Sequence, residues 1–144
     1  MKQRADGDCL AACASMVLDY YGLSLPYWRL IWILSIKRNM GTPFHNIQNL
    51  QRRKMNIVYK QRGTLELLYT LLINERPIIT GIQAGELPYW PINMSHAVVV
   101  AGMDKEHIYL HDPGMDFGPM PVSIGDFDLA WLGHNEVYAI LEPK

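Results

Sequence analysis

The sequence is poor in cysteine, in net charge and in long apolar runs, and each shortage narrows what the protein can be. Its 144 residues include two cysteines, too few for the disulfide framework of a small secreted protein, so we expect both to be reduced. The net charge of −1 gives no sign of a nucleic-acid partner or of an anionic membrane. These features predict a cytoplasmic protein.

No part of the sequence is expected to cross a bilayer directly. The most apolar run, residues 23–36, is interrupted by Arg29, and it is shorter than the roughly 20 residues that a spanning helix needs. The first residues show no signal-peptide pattern. If the protein works at the cytoplasmic face of a membrane, we therefore expect a partner or a further transporter segment to anchor it.

The length and the apolar content of 49% suit one globular domain over residues 1–144, and no repeat, linker or low-complexity tract divides it. Apolar spacing predicts helices over residues 9–21, 27–37, 43–54, 64–75 and 123–132, with Ser24, Thr42, Thr64 and Ser123 as caps. It predicts strands over residues 56–60, 77–83, 95–103, 107–112 and 136–141. This order predicts an α+β fold of two layers, an N-terminal helical layer packed on a C-terminal antiparallel sheet.

A short polar loop runs into the first predicted helix, and a cysteine stands at the junction. Asp6 or Asp8 is expected to cap the helix, and Gly22 to end it. Cys9 then lies in the first turn, where the helix dipole favours an anion, as a thiolate nucleophile requires. A lone cysteine is often only a small core side chain, and that interpretation is preferred for Cys13, one turn further along the apolar stripe.

A nucleophilic thiol needs a base, and His96 is the candidate among the five histidines because it opens an apolar strand. Asp112 ends the next strand of the same predicted hairpin. A tight turn would place Asp112 opposite residue 98 or 99, so that strand twist or a bulge must bring it to His96. A carboxylate that reaches the imidazole orients it and favours its protonated form. A core histidine and a plain Asp-Pro turn remain the alternatives.

An oxyanion donor completes the set of candidate site residues. Gln3 stands six residues before Cys9, on the loop that leads into the helix. Its side-chain amide can donate a hydrogen bond to the oxyanion that forms when a thiolate attacks a carbonyl.

Four segments of the chain together resemble a known family. Residues 3–22 read QRADGDCLAACASMVLDYYG, residues 96–100 read HAVVV, residues 108–113 read IYLHDP and residues 127–133 read FDLAWLG. In this order they resemble the papain-like peptidase domains that remove double-glycine leader peptides. Such domains form the N-terminus of the ABC transporters that process and export bacteriocins.

The resemblance implies a papain-like cysteine endopeptidase that cuts a precursor peptide after Gly-Gly. Cys9 would be the nucleophile, His96 the general base and then acid, and Asp112 its orienter. Gln3 would stabilise the oxyanion together with the Cys9 backbone N–H. The implied partners are the precursor peptide and an ABC exporter, and no cofactor is expected. Leu10 departs from the family, which usually has glycine there, and its larger side chain would narrow or reshape the cleft.

Other functions stay open at this point. Cys9, His96 and Asp112 would equally serve an acyl or peptidyl transferase, because hydrolysis and transfer share the acyl-enzyme intermediate. A non-catalytic peptide-binding module is also compatible with the sequence, using the apolar helix that carries Trp28 and Trp32 as a docking face, although simple core packing is the preferred interpretation of that helix.

A metal site is the least favoured alternative. It would combine Cys9, Cys13, His96 and His111. Two cysteines four residues apart on a helix are not a usual zinc spacing, and neighbouring strand residues such as His111 and Asp112 point to opposite faces.

Overall fold

The computed structural model of the chain describes residues 7–37, 40–52 and 54–144, so that Gln3 and Asp6 lie outside the described residues. The described α-helices are α1 (Cys9–Tyr20), α2 (Tyr27–Ile33), α3 (Leu65–Ile73) and α4 (Ile124–Leu132). The strands are β1 (Met55–Lys60), β2 (Ile78–Gln83), β3 (Ser95–Met103), β4 (His107–His111), β5 (Met120–Ser123) and β6 (Tyr138–Pro143). Short 3₁₀ helices cover Phe44–Leu50 and Ala84–Glu86.

The six strands form one sheet in the order β1-β6-β2-β3-β4-β5, and every neighbouring pair is antiparallel. β2 and β3 lie at its centre, with Ile78 opposite Val100 and Gln83 opposite Ser95. Residues 78–82 of β2 and 96–100 of β3 are buried because both faces of the central strands are covered there. The predicted antiparallel sheet and the α+β class are confirmed.

Helices cover both faces of the sheet, so the molecule has three layers where the sequence predicted two. On one face α1 and α2 pack against Ala97 and Val99 of β3. On the other face α3 and α4 pack against Val98 and Val100. Successive strand residues point to opposite faces, and the continuous apolar run of β3 therefore serves two cores.

α1 is the buried helix of the first layer, and its end follows the prediction. Gly22 has φ +71°, and the N–H of Leu23 donates to the carbonyl of Leu18 at 2.9 Å, which closes the helix with a left-handed glycine. Its beginning differs from the prediction. Asp8 is the N-cap residue, but its carboxylate makes no capping hydrogen bond and accepts one from the Tyr27 hydroxyl at 3.3 Å.

The second and third predicted helices are shorter than expected. Ser24 does not cap α2, because its hydroxyl is bonded to Asp19 and Pro26 takes the N-cap position. α2 stops at Ile33, since Ser35 adopts a positive φ of 56° that an α-helix cannot continue through. The segment predicted as a helix over residues 43–54 is a 3₁₀ helix that ends at Leu50.

At the later boundaries two capping predictions are confirmed and one strand was missed. The hydroxyls of Thr64 and Ser123 accept the N–H groups of Leu67 and Asp126, as expected for N-caps. β5 is absent from the predicted strands; it contains Pro121, which is tolerated since β5 is an edge strand of the sheet. Among the residues that the structure describes, no helix is both long enough and apolar enough to span a membrane.

Candidate active site

The β3–β4 hairpin brings the predicted base and its carboxylate to one end of the sheet. Val99 pairs with His111, which places Asp112, the residue after β4, opposite Val98 and diagonal to His96, as the sequence predicted. The hairpin carries a bulge, because the register shifts between Val100 and Gly102. Bulges increase local strand twist, and twist brings diagonal side chains together.

His96 and Asp112 form a buried pair. The imidazole Nε2 lies 2.6 Å from Oδ1 of Asp112, and the two side chains are 2% and 0% exposed. Burial is the largest influence on the pKa of His96 and lowers it, but hydrogen bonds to Asp112 and Cys9, together with their charges, raise it from 6.5 to about 9. The pKa of Asp112 is affected most by burial, which raises it, yet the bonded His96 brings it below its ordinary value. Both groups therefore favour the charged pair.

The Asp112 carboxylate is held by three further donors that the sequence analysis missed. Its Oδ2 accepts the Tyr89 hydroxyl and the Trp90 indole N–H, each at 2.8 Å, and its Oδ1 accepts the Gly114 backbone N–H at 2.8 Å. Each oxygen thus has two donors, which fixes the carboxylate and stabilises its charge. The connection between β2 and β3 supplies two of them.

Trp90 also forms a wall of the site. Its ring meets the His96 imidazole edge-on, with ring centroids 5.1 Å apart and an interplanar angle of 70°. A Cβ added at Gly114 would lie 2.5 Å from the Trp90 ring and 3.2 Å from the Asp112 carboxylate, so only glycine fits beside them. A Trp close before a strand-opening histidine, together with a glycine after Asp-Pro, is the signal in the sequence that could have suggested this wall.

Cys9 begins α1 and meets His96 from the other side. The thiol is half-buried, and its interaction with His96 contributes to the raised imidazole pKa. Because Asp112 occupies Nε2, Nδ1 is the ring nitrogen left for Cys9. The first backbone bond of α1 joins the Ala12 N–H to the Asp8 carbonyl at 3.0 Å. The Cys9 N–H therefore has no acceptor within the helix and is available to an anion.

Cys13 is fully buried in the α1 core, as predicted. Burial, followed by the charges of Cys9 and Asp112, raises the pKa of its thiol well above 9.0. A thiol of that kind is inert as a nucleophile at neutral pH. The two cysteines therefore differ in reactivity although they lie only one turn apart on the same helix.

Leu10 does not narrow the cleft as its size suggested. Its side chain is 1% exposed and belongs to the core between α1 and the sheet. In an α-helix, adjacent residues point about 100° apart, so Cys9 can face the site while Leu10 faces the core. The departure from glycine is absorbed by packing.

A groove of about 580 Å³ lies on the α1 face of the sheet. Its walls are mostly apolar and include Met16, Val17, Leu72, Val99 and Ala101, with His111 at one edge. His96 and His111 therefore end on opposite faces of the hairpin. In the part of the chain that the structure describes, no cluster of three or more His, Cys, Asp or Glu side chains could hold a metal ion.

A half-buried thiol lies at a helix N-terminus and interacts with an imidazole that a buried carboxylate holds. On this α+β fold, that is the arrangement of the papain-like cysteine peptidases. The sequence profile of the Peptidase C39 family matches residues 1–139. The chain belongs to that family, and it is a cysteine peptidase. Comparison with curated proteins gives no match.

Solved structures share the fold at low sequence identity. A C39-like peptidase from Bacillus anthracis has a TM-score of 0.81 at 16% identity, covering 100% of this chain and 94% of its own. The peptidase domain of Streptococcus ComA, a bifunctional ABC transporter of a quorum-sensing pathway, has a TM-score of 0.77 at 18% identity, covering 100% and 97%. A double-glycine-motif protease from an AMS/PCAT transporter, solved in complex with the leader peptide, has a TM-score of 0.71 at 20% identity, covering 100% and 90%.

Proposed function

We propose that this peptidase removes the leader of a precursor peptide by cutting after a Gly-Gly motif. The observation that carries the proposal is the buried hydrogen bond between His96 and Asp112, together with the half-buried Cys9 thiol whose interaction with His96 contributes to the raised imidazole pKa. The family membership supports peptide cleavage. The Gly-Gly preference is supported by the fold shared with the double-glycine-motif protease.

The chemistry follows from the charges of the site. Cys9 Sγ, as a thiolate, attacks the carbonyl carbon of the second glycine, and the electron pair of the C=O bond moves to the oxygen. The tetrahedral intermediate collapses, the C–N bond breaks, and His96 gives its proton to the departing amine. His96 then takes a proton from water, whose oxygen attacks the thioester and releases the leader as a carboxylic acid. Cys9 returns to the thiolate and His96 to the imidazolium.

The oxyanion of that intermediate needs donors, and the helix N-terminus supplies one. The Cys9 backbone N–H points out of the first turn of α1, where the helix dipole is positive. We assign the second donor to the side-chain amide of Gln3, which precedes the described residues. Loss of one such donor lowers kcat by about a hundredfold to a thousandfold.

The leader itself is assigned to the groove beside α1. Met16, on its wall, is seven residues from Cys9 along the helix, which is about 10 Å at 1.5 Å per residue. An extended peptide covers that distance in about three residues. Leader residues upstream of Gly-Gly therefore reach the groove while the scissile bond lies at Cys9. We expect an ABC exporter as the partner at the cytoplasmic face of a membrane, with residues 1–144 acting as one domain.

The catalytic assignment is tested with three variants and a Gly-Gly precursor peptide. Cys9→Ala and His96→Ala are expected to lower cleavage by about a millionfold, because nucleophile and base act as a unit. Cys13→Ala is the matched control and is expected to keep most of the activity. Loss of cleavage in Cys13→Ala with retention in Cys9→Ala would contradict the assignment. Product masses with an added amine nucleophile separate hydrolysis from acyl transfer.

The leader groove is tested by filling it. Ala101 is exposed at the hairpin bulge and lines the groove, so that Ala101→Trp adds a large ring there. We expect KM for the full precursor to rise about tenfold, because one obstructed apolar contact is worth that much. Cleavage of a short peptide that contains Gly-Gly without the leader should not change. An equal effect on both substrates would place the leader elsewhere.

A further inference from the structure

The net charge of −1 conceals a strong charge asymmetry along the chain. Residues 20–65 contain no aspartate or glutamate, yet they hold eight of the 13 lysines and arginines. All 14 acidic residues lie outside this segment. Segregation on this scale indicates a surface that meets negative charge.

The basic segment forms one connected corner of the molecule. α2 is joined to the 3₁₀ helix that follows it, because the Asn46 and Asn49 side chains donate to the Leu34 and Ile33 carbonyls at 2.9 and 3.0 Å. That 3₁₀ helix in turn packs against β1. Among the exposed cations of this segment are Arg29 within α2, Lys37 after it, and Arg52 and Lys54 before β1. Among the described residues these four make no ion pair with a carboxylate.

α2 carries two tryptophans that face solvent, contrary to the core packing that the sequence favoured. Trp28 and Trp32 are 72% and 76% exposed, more than any other large apolar side chain that the structure describes. They lie one turn apart, so they share one face of the helix, while Leu30 and Ile33 fill the core behind them. Leu23 before the helix and Met40 after it are exposed as well, at 36% and 56%.

We propose that this basic, Trp-bearing corner binds the surface of an anionic phospholipid bilayer. Tryptophan is the side chain that prefers the level of the lipid headgroups, and arginine and lysine flanking it are attracted to anionic lipid. The exposed Leu23 and Met40 favour lipid over nucleic acid, because aliphatic side chains partition into a bilayer but do not stack on bases. The binding is peripheral and does not span the membrane.

The corner is also tied to the site. Tyr27, the first residue of α2, donates its hydroxyl to Asp8, which directly precedes Cys9. The beginning of α2 therefore lies beside the beginning of α1. Lipid binding is measured without a peptide substrate, so its outcome is independent of the proposed cleavage reaction.

The experiment is co-sedimentation of the full chain with vesicles of pure phosphatidylcholine and of phosphatidylcholine with about 30% phosphatidylserine. We expect binding to the second alone, with loss in high salt and a blue shift of tryptophan fluorescence. Trp28→Ala with Trp32→Ala should weaken the binding by about tenfold or more, and Arg29→Glu with Lys37→Glu should do the same.

The controls use exposed residues outside the corner. Tyr69→Ala with Leu129→Ala removes two exposed apolar side chains from α3 and α4, and Lys105→Glu reverses a charge at the β3–β4 turn. Both are expected to bind as the wild type does, and circular dichroism confirms that each variant is folded. No binding to the anionic vesicles, or equal loss in controls and test variants, would overturn the proposal. Tighter binding to single-stranded DNA than to the vesicles would also overturn it.

Discussion

Two histidines end on opposite faces of the same hairpin, and they have opposite electrostatics. His96 opens β3, and the pKa of its imidazole is raised to about 9. His111 ends β4, and burial lowers its pKa below 6.5. The two residues lie close to one another in the sheet, since His111 pairs with Val99.

The comparison shows that burial does not decide the charge of a histidine here. The His96 side chain is 2% exposed, and burial alone would lower its pKa more than it lowers that of His111. The Asp112 carboxylate reverses the sign because it is held in place by Tyr89, Trp90 and Gly114. A site for acid–base chemistry is therefore built from the donors behind the carboxylate as much as from the imidazole itself.

The difference between His96 and His111 is tested most directly by making the same substitution at both positions. We expect His96→Gln to lower kcat on a Gly-Gly precursor by about ten-thousandfold or more, because the thiolate loses its counter-ion and the amine its proton donor. His111→Gln should keep kcat within about twofold, since that ring faces the groove and not the thiol. Steady-state kinetics of the two variants measure the difference, and similar losses in both would contradict the assignment of the base.

Removing the carboxylate charge should make His96 resemble His111. Asp112→Asn keeps the shape of the side chain but removes the charge of the group that does most to raise the pKa of His96, so that this pKa should fall from about 9 toward that of His111. We expect kcat/KM to fall by about a hundredfold to ten-thousandfold. An NMR titration of the imidazole protons measures the pKa directly, and a value that stays near 9 would show that another group holds the proton.

The stability that the His96–Asp112 pair contributes should depend on pH. The folded pKa of His96 is raised from 6.5 to about 9, so its stabilising effect is complete below pH 6.5 and is lost as the pH rises through about 9. Asp112 has a lowered pKa, so its contribution is present above pH 3.8 and is lost as the pH falls through the folded value. The difference in Tm between wild type and His96→Gln should therefore be largest from about pH 4 to 6.5 and small above about 9. A difference independent of pH would mean that the pair is not charged.

The sequence predicted the fold where local patterns decide it. β3 was found with its observed ends because Ser95–Met103 is a β-branched run between turns, and Gly22 ended α1 as expected. It did not predict the third layer, although the continuous apolar run of β3 is typical of a strand that is buried on both faces. It also missed β5, because a proline argues against a strand until the strand is known to lie at an edge.

The candidate site residues with reactive or titratable side chains could be predicted from the sequence, but the residues that hold them in place could not. Cys9, His96 and Asp112 were chosen by residue type and by hairpin register, and the structure brings these three together. The donors to Asp112 could not be chosen in this way, because Tyr89 and Trp90 reach it from a loop whose path no spacing rule fixes. The burial of Leu10 was likewise invisible, since the direction of a first-turn side chain depends on how the helix packs.

The smallest effects are expected when either of the two aromatic donors to the Asp112 carboxylate is replaced. Trp90→Phe removes one hydrogen bond to Oδ2 of Asp112 and keeps an aromatic ring against His96. Because that bond helps to hold the pKa of Asp112 below 3.8, its loss should move the acid limb of the pH–rate profile upward and lower kcat about tenfold. Tyr89→Phe removes the other bond to the same oxygen and leaves the wall beside His96 intact. We expect a loss of similar size in each variant and a larger, non-additive loss in the double variant, because Oδ2 then has no donor left. Full activity in the double variant would show that His96 and Gly114 alone hold the carboxylate.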